Sequence, residues 1–297
     1  MVEACVRNGR AVRVLCRRPP GLLPTELLTH PRVELVVGDL CDPAVCRGVL
    51  EGVGPVVLAM GGSLPAPSNR NPVDDAQSQL IPVLTLLVAM RAFPPRRVVF
   101  LSSGGTIYGA AARLPSRESD RCQPLCAYGI SKLALEQHLQ LEHALHGLDY
   151  RIARLSNPYG GRQRMDGPQG APSVFLAKAL CGQPIEIWGD GSVSRDFIHI
   201  KDVMHALCLL LEDAGDERLF NIGSGVSTSL TTLLATIERC IGRSVVCHYR
   251  PGRSCDVPRS CLAIERAQQQ LHWAPKVSLE AGLTACVADF KRCKGSH

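Results

Sequence analysis

Several common features are missing from this chain of 297 residues. No apolar stretch approaches the roughly 18 residues of a membrane-spanning helix. The longest candidate, residues 80–90, is interrupted by Pro82. The N-terminus carries no secretory pattern, so a cytoplasmic protein with no membrane partner is expected. Fourteen cysteines are present, yet none forms a C-x-x-C pair. The nearest spacings, Cys41/Cys46 and Cys122/Cys126, are wider than usual zinc pairs, so no metal site is expected. Many cysteines stand in apolar runs and read as small buried hydrophobes in a reducing compartment. There is no internal repeat, no low-complexity tail and no complete G-x-G-x-x-G. The net charge of +6 is spread along the chain. It suits an ordinary basic surface or a handler of anionic ligands, and gives no reason to expect a nucleic-acid partner.

What is present is organised. Apolar content is 45% and charged content 20%, which excludes a disordered composition and allows a full core. Short β-branched runs at 11–16, 33–37, 56–60, 98–102 and 150–155 alternate with helical spacing at 74–92 and 128–146. That alternation predicts βαβ units and an α/β, doubly wound parallel sheet. The second half is looser. A Pro/Gly-rich stretch, 157–172, precedes a helix at 174–180 and a strand at 185–188. A turn at Gly189-Asp190-Gly191 leads to a strand-helix pair at 196–211. Further helices are expected at 230–241 and 279–291. The division expected is a nucleotide-binding domain at 1–156, with about 192–212 returning to it, and a smaller substrate domain at 157–297.

Chemistry concentrates at Ala127-Tyr128-Gly129-Ile130-Ser131-Lys132. Tyr and Lys one helical turn apart project from one face. A phenol with pKa about 10 is a poor base at neutral pH, and a neighbouring ammonium lowers it. Alone, Y-x-x-x-K arises by chance on many surface helices. Upstream, however, Val98-Val99-Phe100-Leu101-Ser102-Ser103-Gly104-Gly105-Thr106-Ile107-Tyr108-Gly109 reads as a buried strand ending in small and hydroxyl residues, where α/β sheets place ligands. Downstream lie Arg154-Leu155-Ser156-Asn157-Pro158-Tyr159-Gly160 and Arg195-Asp196-Phe197-Ile198-His199.

In this order, the four elements resemble the extended short-chain dehydrogenase/reductase family, and within it the nucleotide-sugar 4-epimerase group. The resemblance covers nearly the whole chain. It implies a Rossmann-like fold, NAD as cofactor, a UDP-sugar substrate and a homodimer formed through the 74–92 and 128–146 helices. Tyr128 would be the acid/base at the sugar 4-hydroxyl, and Lys132 would tune it and hold the nicotinamide ribose. Cys16 and Arg17 would stand at the adenine ribose, Asp39 and Leu40 at the adenine, and Ala59, Met60 and Gly61 beside the phosphates. Ser102 would also contact cofactor. Asn157, Arg195, Asp256 and Ser260 would meet the substrate, Arg195 by bidentate pairing with the diphosphate; the alternative for Arg195 is a surface ion pair with Asp196 or a neighbour. A small Ser260 would leave room for a 2-acetamido group.

The sequence departs from this pattern in three places. The Gly-rich turn that should open the first helix would fall before Met1, and the chain is expected to begin inside that helix, near 2–8. The strand before it would sit mid-sheet. A start set too late is the favoured explanation, and weak or absent cofactor binding is expected of these residues. Second, the usual catalytic hydroxyl position holds Gly104, which leaves Ser103 and Thr106 as candidates, Ser103 first. Third, Cys16 replaces the acid of NAD-preferring sites, and Arg17 and Arg18 leave NADP open. Gly105 and Thr106 supply no carboxyl for elimination or decarboxylation, so reversible hydride transfer is expected. The alternatives are an NADPH-dependent nucleotide-sugar ketoreductase and a non-catalytic binding relative.

Overall fold

The computed structural model describes residues 1–18, 25–61, 65–161, 163, 170–252 and 257–295. In the first half, α1 (Val2–Arg7), β1 (Val12–Cys16), α2 (Thr25–Leu28), β2 (Val33–Val37), α3 (Pro43–Leu50) and β3 (Pro55–Leu58) lead to α4 (Pro65–Arg70). Then come α5 (Pro72–Asp75), a π turn (Ala76–Leu80), α6 (Ile81–Met90), β4 (Arg97–Ser103), α7 (Gly104–Ile107), α8 (Ala127–His146) and β5 (Tyr150–Leu155). The remainder holds β6 (Asn157–Tyr159), α9 (Ala171–Leu180), β7 (Ile185–Trp188), β8 (Ser194–His199), α10 (Ile200–Glu212) and β9 (Leu219–Ile222). It closes with β10 (Ser227–Ser229), α11 (Leu230–Ile241), β11 (Cys247–Arg250), α12 (Glu265–Leu271) and α13 (Leu279–Gly295).

The strands β3-β4-β5-β9 form one parallel sheet, and β1-β2 a parallel pair not hydrogen-bonded to it among the described residues. Both faces of the larger sheet are covered, as its continuous apolar strands require. Alternate β4 residues separate: Val98 and Phe100 enter the core with Leu86, Leu87, Leu135 and Leu139 of α6 and α8. Val99 enters the opposite core with Leu207 and Leu210 of α10 and Trp273. Every residue of β5 is buried, whereas all five of β1, paired on one edge only, are half-buried. A mixed sheet β10-β8-β6 and a parallel pair β11-β7 build the second half around Leu176, Ile185, Ile187, Leu233 and Leu283.

The fold class expected from the sequence is the one observed. The expectation of a single helix at 74–92 is corrected. The segment is α5, a π turn and α6, with Pro82 at the second residue of α6. Pro82 has no N–H to return to the preceding turn and its ring crowds that turn, so the backbone widens there. Among the described residues no helix is long and apolar enough to cross a membrane. None of their His, Cys, Asp and Glu residues cluster as a metal site would require.

Candidate functional site

The site forms at the C-terminal edge of the parallel strands. α8 starts there, and its first amides are capped from a distance. Ala127 N–H donates to Asn69 Oδ1 at 2.8 Å and Tyr128 N–H to Ser68 Oγ at 3.1 Å, both from α4. This satisfies donors that a helix N-terminus leaves unpaired. Gly129 lets α8 approach the preceding loops. A Cβ there would lie 2.9 Å from Pro124 Cβ and 3.2 Å from the Thr106 carbonyl oxygen.

Lys132 is only 2% exposed. Its Nζ donates to the Met60 and Leu101 carbonyls at 3.0 and 3.1 Å, joining α8 to the ends of β3 and β4. It lies 4.9 Å from the Phe100 ring centroid and 5.8 Å from that of Tyr128. Burial pulls the ammonium down to about 8, against the opposing pull of Asp75 and Glu136. Tyr128 is half-buried, and burial raises its phenol, against a hydrogen bond with the Ser103 side chain that lowers it. The lowered phenol expected from the sequence is therefore reversed. Lys132 spends its donors on backbone carbonyls, and desolvation is the largest influence on the phenol.

Ser103 is thus the hydroxyl that acts on the Tyr128 phenol, lowering it, whereas Thr106 turns its hydroxyl back to the Ser103 carbonyl at 3.5 Å. Gly104 has no space for a hydroxymethyl group as packed, since a Cβ would meet Leu262 Cδ1 at 2.6 Å. Gly105 faces Asn157, whose Nδ2 would be 3.6 Å from a Cβ at that position. Ser102 commits its side chain to Glu136, one turn beyond Lys132, so only its backbone is presented toward a ligand. Glu136 accepts from Arg154 Nη2 at 2.6 Å, and Arg154 Nη1 donates to Tyr108 at 2.9 Å. The Tyr108 hydroxyl donates to Asn221 Oδ1 at 2.7 Å. This buried chain fixes β4, β5, α7 and α8 to one another.

Of the residues assigned to cofactor, Cys16, Arg17, Asp39, Leu40, Met60 and Gly61 line a single cavity of about 180 Å³. Ala59 is exposed and outside that lining. Asp39 accepts from the Cys41 amide at 2.9 Å, which holds its carboxyl below the usual range. A wider cavity of about 660 Å³ meets Arg17, Arg18 and Asp39. Among the described residues nothing lies within 4 Å of a Cβ placed at Gly61. Met60 links this cavity to Lys132. This lining of backbone, the Asp39 carboxylate and the Arg17 guanidinium is the chemistry that the adenosine end of a dinucleotide would need, without the Gly-rich turn for its pyrophosphate.

On the other side, Asn157 Nδ2 donates to the Asp196 carbonyl at 3.2 Å, and Arg195 Nη1 to the Ser194 and Val257 carbonyls at 2.9 and 2.7 Å. The alternative of an Arg195–Asp196 ion pair is not what orients Asp196. That fully buried carboxylate accepts from the amides of Ser224, Gly225 and Leu262. Ser260 N–H donates to the Ser194 carbonyl at 3.1 Å, and its buried Oγ has no partner among the described residues. Asp256 lies outside the described residues. Ser68, Asn69, Asp75 and Ser131 were not among the expected site residues. Only Glu136, one helical turn from Lys132, was within reach of a sequence pattern.

A family model described as the NAD dependent epimerase/dehydratase family matches residues 1–223. The chain is 31% identical over 261 residues to UDP-glucose 4-epimerase of Mycolicibacterium smegmatis, covering 88% of this chain and 83% of that protein. It is 38% identical over 199 residues to dTDP-4-dehydro-6-deoxyglucose reductase of Escherichia coli, covering 67% and 62%. Among solved structures, UDP-glucose 4-epimerase of Thermotoga maritima with UDP-glucose superposes with a TM-score of 0.92 at 31% identity, covering 99% of this chain and 94% of that one.

Proposed function

Because the chain belongs to the NAD dependent epimerase/dehydratase family, we propose that it interconverts nucleotide sugars epimeric at carbon 4. UDP-glucose and UDP-galactose, or their N-acetylated forms, are the substrates, and NAD is the cofactor. The observation that carries this reading is a buried Lys132, held by the Met60 and Leu101 carbonyls with its Nζ 5.8 Å from the Tyr128 ring centroid, with no carboxyl side chain at Gly105 or Thr106.

NAD, when bound, accepts and returns the hydride at carbon 4. Tyr128 takes the 4-hydroxyl proton and gives it back, and Ser103 holds the phenol in position. Lys132 supplies positive charge to the developing phenolate and meets the nicotinamide ribose. Cys16, Arg17, Asp39, Leu40, Met60 and Gly61, together with Ala59 and the Ser102 backbone, would hold the rest of the dinucleotide. Arg195, Asn157 and Asp256 hold the nucleotide-sugar, and Arg195 is already aimed by two carbonyls. The small Ser260, with an unengaged hydroxyl, suits a 2-acetamido group. Thr106 is a secondary hydroxyl at the sugar. Residues 1–156, with 192–212 returning, act as the nucleotide-binding half and the rest as the substrate half.

Two helices present an apolar stripe: Ile81 and Val88 of α6, and Ile130, Leu141 and Leu145 of α8, are all exposed. A homodimer would cover it. The cysteines, free thiols where described, suit a reducing compartment, and we place the protein in the cytoplasm.

The second reading, a ketoreductase, is favoured by the 38% identity to the Escherichia coli reductase and by Arg17 and Arg18 beside Cys16. One incubation separates them. UDP-galactose with the protein and saturating NAD, as the weak cofactor binding expected of these residues requires, should give UDP-glucose with no net change in nicotinamide absorbance. Stoichiometric NADPH oxidation by a 4-keto nucleotide sugar, without epimerisation, would favour the reductase.

A further inference from the structure

Asp196 is a fully buried carboxylate amid the residues assigned to the nucleotide sugar, and it has no part in the chemistry above. It stands on β8 beside Arg195, which is half-buried. Neighbours on a strand point to opposite faces, so Asp196 turns inward behind Arg195. There it collects donors from two separate segments. From the turn between β9 and β10, Ser224 N–H and Oγ both donate to Oδ1 at 2.7 Å, and Gly225 N–H donates to Oδ2 at 3.3 Å. From the other segment, Leu262 N–H donates to Oδ2 at 3.1 Å. The space is closely matched: a Cβ at Gly223 would lie 2.5 Å from Asp196 Oδ2.

These bonds bear on Asn157, Arg195 and Ser260 alike. Ser194 N–H donates to the Pro258 carbonyl at 3.0 Å, and Ser260 N–H to the Ser194 carbonyl at 3.1 Å. Two residues further along each segment, Leu262 N–H bonds the Asp196 side chain. The carboxylate therefore continues the ladder that carries Ser260. Arg195 donates to the Ser194 and Val257 carbonyls, one from each side of that ladder. Its aim depends on the two segments staying in register. Asn157 Nδ2 donates to the Asp196 backbone carbonyl at 3.2 Å. A carboxylate accepts at both oxygens, whereas an asparagine would turn an NH2 toward amides that also donate. A segment that slipped would leave those amides unpaired in the interior.

We propose that Asp196 is a positioning residue of the substrate site. Its carboxylate fixes residues 258–262 and the 223–225 turn to β8, and so holds Arg195, Asn157 and Ser260 in the arrangement that takes the nucleotide diphosphate and its sugar. The proposal rests on those residues being the nucleotide-sugar site. Asp202 supplies a contrast within the same fold. It is also a buried carboxylate, and it accepts from the Lys276 and Val277 amides at 3.1 and 3.0 Å. No substrate candidate stands beside the segment it holds. A merely structural Asp196 would behave as Asp202 does, supporting stability and leaving ligand affinity alone.

The test titrates the full chain and its variants with UDP by calorimetry, with thermal unfolding of each alongside. Asp196→Asn should weaken UDP by about 10–100-fold, the worth of one well-aimed hydrogen bond to a charged group. Asp202→Asn should lower Tm and keep the wild-type affinity. Gly223→Ala drives a methyl against Asp196 Oδ2. It should also weaken UDP, and it carries the test if Asp196→Asn does not fold. Wild-type affinity in folded Asp196→Asn, or in Gly223→Ala, overturns the proposal. So does an equal loss of affinity in Asp196→Asn and Asp202→Asn. Arg195→Ala separates this failure from failure of the site itself. Unchanged affinity in Arg195→Ala, or no UDP binding by the wild type, would sink the substrate-site reading. Lost affinity in Arg195→Ala, with none lost in Asp196→Asn, would sink only the role of Asp196.

Discussion

Replacing Arg154 with Met removes one end of an ion pair that is closed to solvent. Arg154 is 4% exposed and Glu136 1%. Burial pulls the guanidinium down, but the hydrogen bonds and charge of Glu136 overcome it and hold Arg154 above its ordinary range. The variant loses contacts from Nε at 3.1 Å and Nη2 at 2.6 Å to Glu136, and from Nη1 at 2.9 Å to Tyr108. Glu136 then keeps only the Ser102 hydroxyl among these partners. Breaking such a pair from one side costs about 3–5 kcal/mol, which lowers Tm by roughly 10 °C. Urea unfolding at neutral pH measures it. The double variant Glu136→Gln/Arg154→Met should lose less than the sum of the singles, because no charge is stranded. A deficit below about 1 kcal/mol, or strict additivity, would refute the reasoning.

Three other outcomes follow from the same geometry. Gly129→Ala drives a methyl against Pro124 and the Thr106 carbonyl, and should destabilise the fold by about 1–3 kcal/mol, measured by thermal unfolding. Burial holds the Lys132 ammonium down to about 8, which penalises the fold below that pH, and the penalty is relieved as pH rises toward 10.5, which denaturant titrations across that range would record. Leu145→Glu places a charge in the exposed stripe of α8, where Leu145 is 63% exposed. Sedimentation should show a shift from dimer to monomer with the secondary structure intact.

Regular, local signals were legible in the sequence. The strands Val33–Val37, Tyr150–Leu155 and Ile185–Trp188 and the helix Leu230–Ile241 match their expected bounds, because each is an apolar run or amphipathic period closed by turn residues. The 74–92 segment misled, because its apolar period continues through Pro82 while the backbone does not. Strands as short as β6 and β10, three residues each, carry too little pattern to read. In the site, the spacing of Tyr128 and Lys132 was plain, and six dispersed positions assigned to cofactor do line one cavity. Ser68, Asn69 and Asp75 were not legible, since they act on α8 only through contacts made by folding. The direction of the Tyr128 phenol was misread for a related reason: spacing reveals a nearby ammonium but not the burial that raises the phenol.

The central claim is that Tyr128 moves the proton of the sugar 4-hydroxyl. Steady-state interconversion of UDP-galactose and UDP-glucose by wild type and Tyr128→Phe, with UDP-sugar affinity measured calorimetrically, tests it most directly. The account predicts a kcat loss of about 10²–10⁴-fold with affinity essentially unchanged. Turnover by Tyr128→Phe within a few-fold of wild type would contradict it.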